Sequence, residues 1–289
     1  MRVIEPSELI INPDGSIFHL HLKPEQLAEN IILVGDPGRV KMIAGFFDSI
    51  ESETENREFV SATGHYGTKH ITVLSTGIGT DNIDIVVNEL DALVNIDLET
   101  RQVKSEKKSL KIIRIGTSGG LQGDIPVNAF LASAKAIGFD GLLNFYERRS
   151  EVADLAFEDA FKKYVNWSAL LPSPYVVEAD TELFNKIIDI NFTQGVTISA
   201  PGFYGPQGRE LRLRIVDPLI NDKIETFRHE NQRITNYEME CSAIYGLSKL
   251  LGHKALTVCI IIANRVSKHA NEDYKPVMVK LVQKVLERI

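Results

Sequence analysis

The chain has 289 residues, of which 44% are hydrophobic and 25% charged, enough apolar material for a sizeable core. Lys and Arg total 32 against 39 Asp and Glu, a formal charge of -7, so the chain lacks the broad positive field that nucleic acid selects. The strongest apolar run, Ala255 to Ala263, is far too short for a bilayer, and the first residues lack the basic-then-apolar order of a signal peptide. These features exclude a membrane partner and predict a cytoplasmic protein, in which Cys241 and Cys259 are reduced core residues.

Ile31 to Val34 is an apolar run stopped by Gly35-Asp36-Pro37-Gly38, the pattern of a buried strand entering a tight turn. A helix is expected from Arg39 to Phe47. Glu58–Ala62 and His70–Leu74 read as strands joined by a turn at Gly64 to Gly67. Thr76-Gly77-Ile78-Gly79 leads into an amphipathic helix, with Ile83, Val86, Val87, Leu90 and Leu93 at helical spacing. The charged stretch Leu98–Lys111 reads as a solvated excursion. Ile112–Ile115 is the next strand, ending in Gly116-Thr117-Ser118-Gly119-Gly120, and Ala129–Ala134 is another. A helix over Asp180–Ile190, a strand over Gly195–Ser199, a helix over Glu240–Leu251, a strand over Ala255–Ala263 and a helix over Asp273–Arg288 follow. Apolar strands alternating with helices predict an α/β fold, a three-layer arrangement with a central mixed β-sheet flanked by helices. No repeat, low-complexity tract or linker interrupts residues 1–289, so a single domain is expected.

None of the glycine-rich turns matches a dinucleotide fingerprint or a P-loop, so NAD and ATP lose their support. Yet Gly35-Asp36-Pro37-Gly38-Arg39, Thr76-Gly77-Ile78-Gly79 and Arg114-Ile115-Gly116-Thr117 each follow a strand. Such turns bare backbone N–H groups at helix N-termini, which suits an anion. Arg39 and Arg114 add forks that can grip two phosphate oxygens. The plainer alternative is tight turns with solvated arginines, but ligands of open α/β sheets collect at strand ends. Phe203-Tyr204-Gly205-Pro206-Gln207-Gly208-Arg209 sets an aromatic face beside a Gln and an Arg, which suits a flat heterocycle presenting carbonyls and an N–H. A Gly-Pro surface turn is the alternative there. In Asn236-Tyr237-Glu238-Met239-Glu240-Cys241 two acids open an apolar helix. They either compensate its dipole or accept hydrogen bonds from sugar hydroxyls. His19 and His21 form a spaced pair without further ligands, and no zinc motif or nucleophile elbow is present.

Together these segments resemble the nucleoside phosphorylase family, in its uridine phosphorylase branch, over most of the chain from Ile17 to Arg265. The landmarks stand in the family's order. They include Asn56-Arg57-Glu58-Phe59 and Asn264-Arg265 besides those above. The resemblance implies the family's fold and cleavage of a pyrimidine nucleoside by phosphate, uridine giving uracil and ribose 1-phosphate. Phosphate would be a co-substrate, and no other cofactor is implied. Gly35, Arg39, Arg114 and Thr117 would bind phosphate, with Arg57 reaching in from a neighbouring subunit. His19 would likewise approach a neighbour's ribose 5′-hydroxyl. Phe203, Gln207 and Arg209 would hold the pyrimidine with Arg265 nearby, and Met239 and Glu240 the ribose, flanked by Thr117, Gly119 and Tyr237. Arg114, Gln207, Arg209 and Glu240 would carry the catalysis. Glu58 and Ser75 match positions where relatives hold a monovalent cation such as K+ between subunits. A homo-oligomer of at least a dimer follows, with a hexamer built as a trimer of dimers as one form.

The chain departs from the family pattern in Gly-Pro for Pro-Gly in the pyrimidine loop, in Cys241 for Ser, and in the insertion-like stretch at Leu98–Lys111, which bears on the oligomer type. A purine nucleoside phosphorylase is the nearest rival, but Ala263-Asn264-Arg265 lacks the acid that family purine enzymes place there. A water-using nucleosidase would not need Arg39, Arg57 and Arg114. A non-catalytic nucleoside-binding protein is the rival of another class.

Overall fold

The computed structural model describes residues 2–289. In chain order its elements are β1 (Asn30–Val34), α1 (Pro37–Ala44), β2 (Ser49–Asn56), β3 (Phe59–Tyr66), β4 (Lys69–Ser75), α2 (Thr80–Asn95), β5 (Ile96–Asp97) and β6 (Gln102–Val103). Then come β7 (Lys111–Gly120), β8 (Phe130–Gly138), α3 (Arg149–Val152), α4 (Leu155–Val165), β9 (Tyr175–Glu178), α5 (Thr181–Ile187) and β10 (Phe192–Ser199). The last are α6 (Ile220–Thr226), β11 (Arg228–His229), β12 (Gln232–Glu238), α7 (Cys241–Leu251), β13 (Lys254–Asn264) and α8 (Lys275–Arg288).

Among the described residues these strands form an 11-stranded mixed sheet in the order β11-β12-β10-β8-β13-β7-β1-β4-β3-β2, with β9 on β8. The α/β expectation holds. β7, β1 and β4 run parallel, as do β13 with β7 and β8 and β12 with β10. β12 also pairs antiparallel with β7 at Asn236↔Gly120 and Tyr237↔Gly119. That second pairing, with β13 against β8, closes β7, β13, β8, β10 and β12 into a ring. Ile31 to Val34 of β1 are fully buried, as an interior parallel strand requires. On α2 the stripe Ile83, Val86, Val87, Leu90 and Leu93 faces the same core. No helix among the described residues is long and apolar enough to cross a membrane.

Several boundaries differ from expectation for identifiable reasons. α1 starts at Pro37 because Asp36 caps it, accepting from the Gly38 N–H at 2.9 Å, and the proline pre-sets the first helical φ. Gly64 lies inside β3, where a Cβ would collide with the backbone of Ser49 on β2; the turn sits beyond, at Gly67 (φ 59°). The helix expected over Asp180–Ile190 ends at Ile187. The charged excursion is a short hairpin of β5 and β6 on which the N-terminal segment docks, through Val3 beside Gln102 and Arg101 donating to the Leu9 carbonyl at 2.6 Å. The largest correction concerns Arg114 to Thr117. They form no turn and open no helix: β7 continues through Gly120, held by β13 and β12. Both cysteines are free and buried.

Candidate active site

A cavity of about 560 Å³ opens at the carboxyl ends of the strands. Gly35 and Arg39 enter from beyond β1, Gly77 and Ile78 from beyond β4, and Thr117, Ser118 and Gly119 from the end of β7. Tyr237 and Glu238 close β12, Ile262 and Ala263 lie near the end of β13, and Phe203, Gln207 and Arg209 hang from the segment after β10. A crevice outside the carboxyl ends of parallel strands is where α/β sheets place ligands.

One wall is ionic. Arg114, 5% exposed, pairs through Nη2 with Glu240, and its Nη1 lies 3.4 Å from Glu238. Burial lowers the guanidinium's pKa, but the two carboxylates outweigh it and raise the value. Gly116 makes the arrangement possible, since a Cβ there would fall on the Arg114 guanidinium. Glu240 Oε1 accepts the Gly79 N–H at 2.8 Å, so this carboxylate is already the anion at the N-terminus of α2. Glu238 caps α7 by accepting from the N–H groups of Glu240 (2.8 Å) and Cys241 (2.9 Å), and accepts from Ser199 Oγ at 2.5 Å. Burial, opposed by Arg114 and reinforced by Glu240, pushes Glu238 up to about 7. The acids after β12 therefore divide the two roles open from sequence: Glu238 serves the helix and Glu240 faces Arg114. Arg39 reaches the Ile115 carbonyl at 3.3 Å, and its Nε is buried without a hydrogen-bond partner, 3.9 Å from the Asp36 carboxylate. Burial and then the Arg114 charge lower its pKa. Two guanidiniums facing one cavity, each with a buried Nε that lacks a hydrogen-bond partner, could receive an anion.

The other wall holds the residues expected from sequence to meet a flat ring. Gly205–Gln207 is a single 3-10 turn, ended by Gly208 in the left-handed region at φ 67°. The Arg209 guanidinium lies 3.7 Å from the Phe203 ring centroid and donates to Gln207 Oε1 at 2.6 Å and to the Phe203 carbonyl. Arg265 donates to the Gln207 carbonyl and, at 3.4 Å, to Gln207 Oε1, and stands 5.1 Å over the Tyr237 ring. Gln207 is 2% exposed. With both arginines on its oxygen, its amide NH2 is the end left for a ligand, so the acceptor expected to meet a pyrimidine N–H is engaged. Burial, then Arg265, lowers Arg209 to about 10.

The profile of the phosphorylase superfamily matches residues 29–289. The chain belongs to this superfamily. Like its nucleoside phosphorylase members it is an enzyme, a pentosyltransferase. It is 29% identical over 256 residues to the uridine phosphorylase of Thermococcus kodakarensis, covering 88% of this chain and 79% of that one. It is also 29% identical to the uridine phosphorylase of Haemophilus influenzae over 88% of each chain. A DeoD-type purine nucleoside phosphorylase of Listeria monocytogenes is 26% identical, over 84% of this chain and 85% of that one. The crystal structure of a Trypanosoma brucei nucleoside phosphorylase that shows uridine phosphorylase activity superposes with a TM-score of 0.88 at 31% identity, covering 97% of this chain and 98% of that one.

Of the positions expected to serve this phosphorylase, Gly35, Arg39, Arg114, Thr117, Gly119, Phe203, Gln207, Arg209, Tyr237, Met239 and Glu240 line the one cavity. Arg265 acts from behind, through Gln207. His19 and Arg57 do not line it. They sit together elsewhere: Asn56 donates to the His19 carbonyl at 2.8 Å and Arg57 stands 6.0 Å over the Phe18 ring. Arg57 holds a left-handed φ of 55°, and His19 Nδ1 lies 2.5 Å from Glu89. Ser75 Oγ donates to the Glu58 carbonyl at 2.6 Å and accepts from the Val60 N–H at 2.8 Å. Glu58 accepts from Asn82 at 3.1 Å. No group of three or more His, Cys, Asp or Glu among the described residues fits a metal ion. Sequence reasoning left open which of the two acids serves the helix and did not single out Ser118 and Ile262 as lining residues; only the strand ends they share with the glycine turns could have marked them.

Proposed function

We propose that the chain cleaves uridine with inorganic phosphate to give uracil and ribose 1-phosphate. The observation that carries this reading is that an Arg39–Arg114 anion receptor and a donor-rich, acid-free ring site of Phe203, Gln207 and Arg209 line one cavity, with Glu240 beside Arg114. Phosphate held by Arg39, Arg114 and Thr117 attacks C1′ of the ribose. Glu240 keeps a free lone pair on each oxygen for a sugar hydroxyl, beside those used by Gly79 and Arg114. As the C1′–N1 bond breaks, its electron pair leaves on uracil, and the donors of Gln207 and Arg209 stabilise the charge that spreads to the uracil oxygens. Such donors act most strongly in the transition state. For uracil N3–H to meet Gln207 Oε1, Arg209 turns from that oxygen onto the base. Cytosine, with an amine at position 4 and an acceptor at N3, mismatches this set.

His19 and Arg57 lie outside their own cavity, which agrees with their serving a second subunit's site in a homo-oligomer of at least a dimer. A phosphate-dependent assay across uridine, deoxyuridine, thymidine, cytidine and inosine tests the reading. Uridine should turn over only with phosphate and yield ribose 1-phosphate, cytidine should fail and inosine should be poor. Free ribose formed equally fast without phosphate, or inosine as the preferred substrate, overturns it. Subunit exchange between Arg57→Ala and Glu240→Ala proteins should restore activity if sites are shared; verified exchange without recovery refutes sharing.

A further inference from the structure

The turn that carries Gln207 is held from outside by a residue with no place in the cavity lining. Asn221 opens the second position of α6. Its Nδ2 donates to the carbonyls of Gly208 (3.3 Å) and Gln207 (3.4 Å), and its Oδ1 accepts from the Tyr237 hydroxyl at 3.2 Å. The approach is close: a Cβ on Gly208 would overlap the Asn221 amide, and Gly208 already sits at φ 67°. Both glycine properties, the positive φ and the missing side chain, are needed there. Arg265 grips the Gln207 carbonyl from the other side and covers the Tyr237 ring. One amide thus joins three parts of the ring site that come from different segments: the end of the Gln207 turn, α6 and the end of β12. Tyr237 is 1% exposed, so its hydroxyl needs this acceptor.

We infer that Asn221 is a positioning residue for base selectivity, fixing the Gln207 turn against Tyr237. The inference rests on the reading that this turn holds the base. Positioning of this kind is worth much in rate, since a misplacement of about 1 Å can cost on the order of a hundredfold. The phosphate receptor of Arg39 and Arg114 makes no hydrogen bond to Asn221 among the described residues, so it should not feel the change.

Two variants separate positioning from mere stability. Asn221→Ala removes every arm. Asn221→Asp keeps the shape and the acceptor for Tyr237 but turns an oxygen toward two carbonyls. For each, four quantities are measured: kcat/KM for uridine and for inosine, affinity for free uracil by calorimetry, KM for phosphate, and thermal stability. Both variants should lose roughly tenfold or more in kcat/KM for uridine, bind uracil more weakly and narrow the uridine-to-inosine ratio, with phosphate KM unchanged. Unchanged uracil affinity and an unchanged ratio, even with a lowered melting temperature, overturn the inference. Arg209→Ala is the control: if it weakens uracil binding and the Asn221 variants do not, only this inference fails. If Arg209→Ala also leaves uracil binding intact, the reading of the turn as the base site fails with it.

Discussion

Replacing Arg114 with methionine removes the guanidinium that faces both Glu238 and Glu240, which are 4% and 3% exposed. Breaking a buried ion pair by deleting one partner destabilises by about 3–5 kcal/mol, because the remaining charge is left without compensation. Here Glu240 loses its partner, but Glu238, already raised to about 7, can hold its proton, so the lower part of that range is expected at neutral pH. The effect has a pH signature. Burial, opposed by Arg114 and reinforced by Glu240, holds Glu238 at about 7 in the folded chain against an ordinary 4.5. A carboxyl raised in this way favours folding below its unfolded value and loses that contribution as pH rises through the folded one. In the wild type the loss therefore runs between about 4.5 and about 7. Without Arg114 the largest lowering influence is gone and only the hydrogen bonds from Ser199 and the Glu240 N–H remain, so the folded value climbs further and the loss extends to higher pH. Denaturant unfolding of both proteins between about pH 5 and about pH 8 reads this directly. The stability gap should widen as pH rises. A gap that is flat across that range, or one below about 1 kcal/mol at neutral pH, would contradict the assignment of Arg114 as the counter-charge of both acids.

Gly116→Ala should push the Arg114 guanidinium off its seat and raise KM for phosphate by about tenfold or more, measured at saturating nucleoside; an unchanged KM would show that Arg114 does not hold phosphate from this position. Arg209→Ala should lower kcat for uridine by on the order of a hundredfold, more than it raises KM, because charge on the base grows toward the transition state; steady-state kinetics decide it. Phe161, fully buried between Phe139, Trp167 and Phe227, should cost about 3–5 kcal/mol on truncation to alanine, read by denaturant melts with the active site untouched. Burial pushes the Cys259 thiol up to about 12 and Cys241 well above its usual value, so a thiol reagent at neutral pH should label neither until the chain unfolds; rapid native labelling would contradict their burial.

Much of the sheet was legible because interior strands announce themselves. Ile31–Val34 is apolar without break and Ala255–Ala263 is interrupted only by Thr257, and both are central. The edge was not: β2, Ser-Ile-Glu-Ser-Glu-Thr-Glu-Asn, exposes its acids to solvent and carries almost no apolar signal. β12 was hidden because its buried polar residues are tied in by hydrogen bonds, Thr235 and Thr197 both donating to Asn236 Oδ1, which hydropathy does not register. At the site, the glycine turns pointed to the right strand ends. The reading of Gly116 as a turn residue failed for a tertiary reason, since that glycine exists to clear space for a side chain two residues earlier in the same strand. Likewise the engagement of Gln207 Oε1 by Arg209 and Arg265 depends on chain segments far apart in sequence. No local pattern carries such a contact.

The ring of β7, β13, β8, β10 and β12 has a consequence for how this scaffold could be re-engineered. Its closure means that the stretch leaving β10 and returning at β12 is tied at both ends to one rigid frame, with Ala200 donating to the Glu238 carbonyl at 3.0 Å where the stretch begins. The anion-side groups come from other strands, β1 and β7, whose register does not depend on what that stretch contains. The mostly exposed residues between 201 and 219 are therefore the part of that stretch open to exchange, since Ile224 and Phe227 beyond them are buried in the core. A transplanted segment of different length and polarity, inserted at the same anchor points, would redirect which ring is accepted while leaving the attacking oxyanion's seat in place, provided the recipient frame also keeps Tyr237 and Arg265 to receive it.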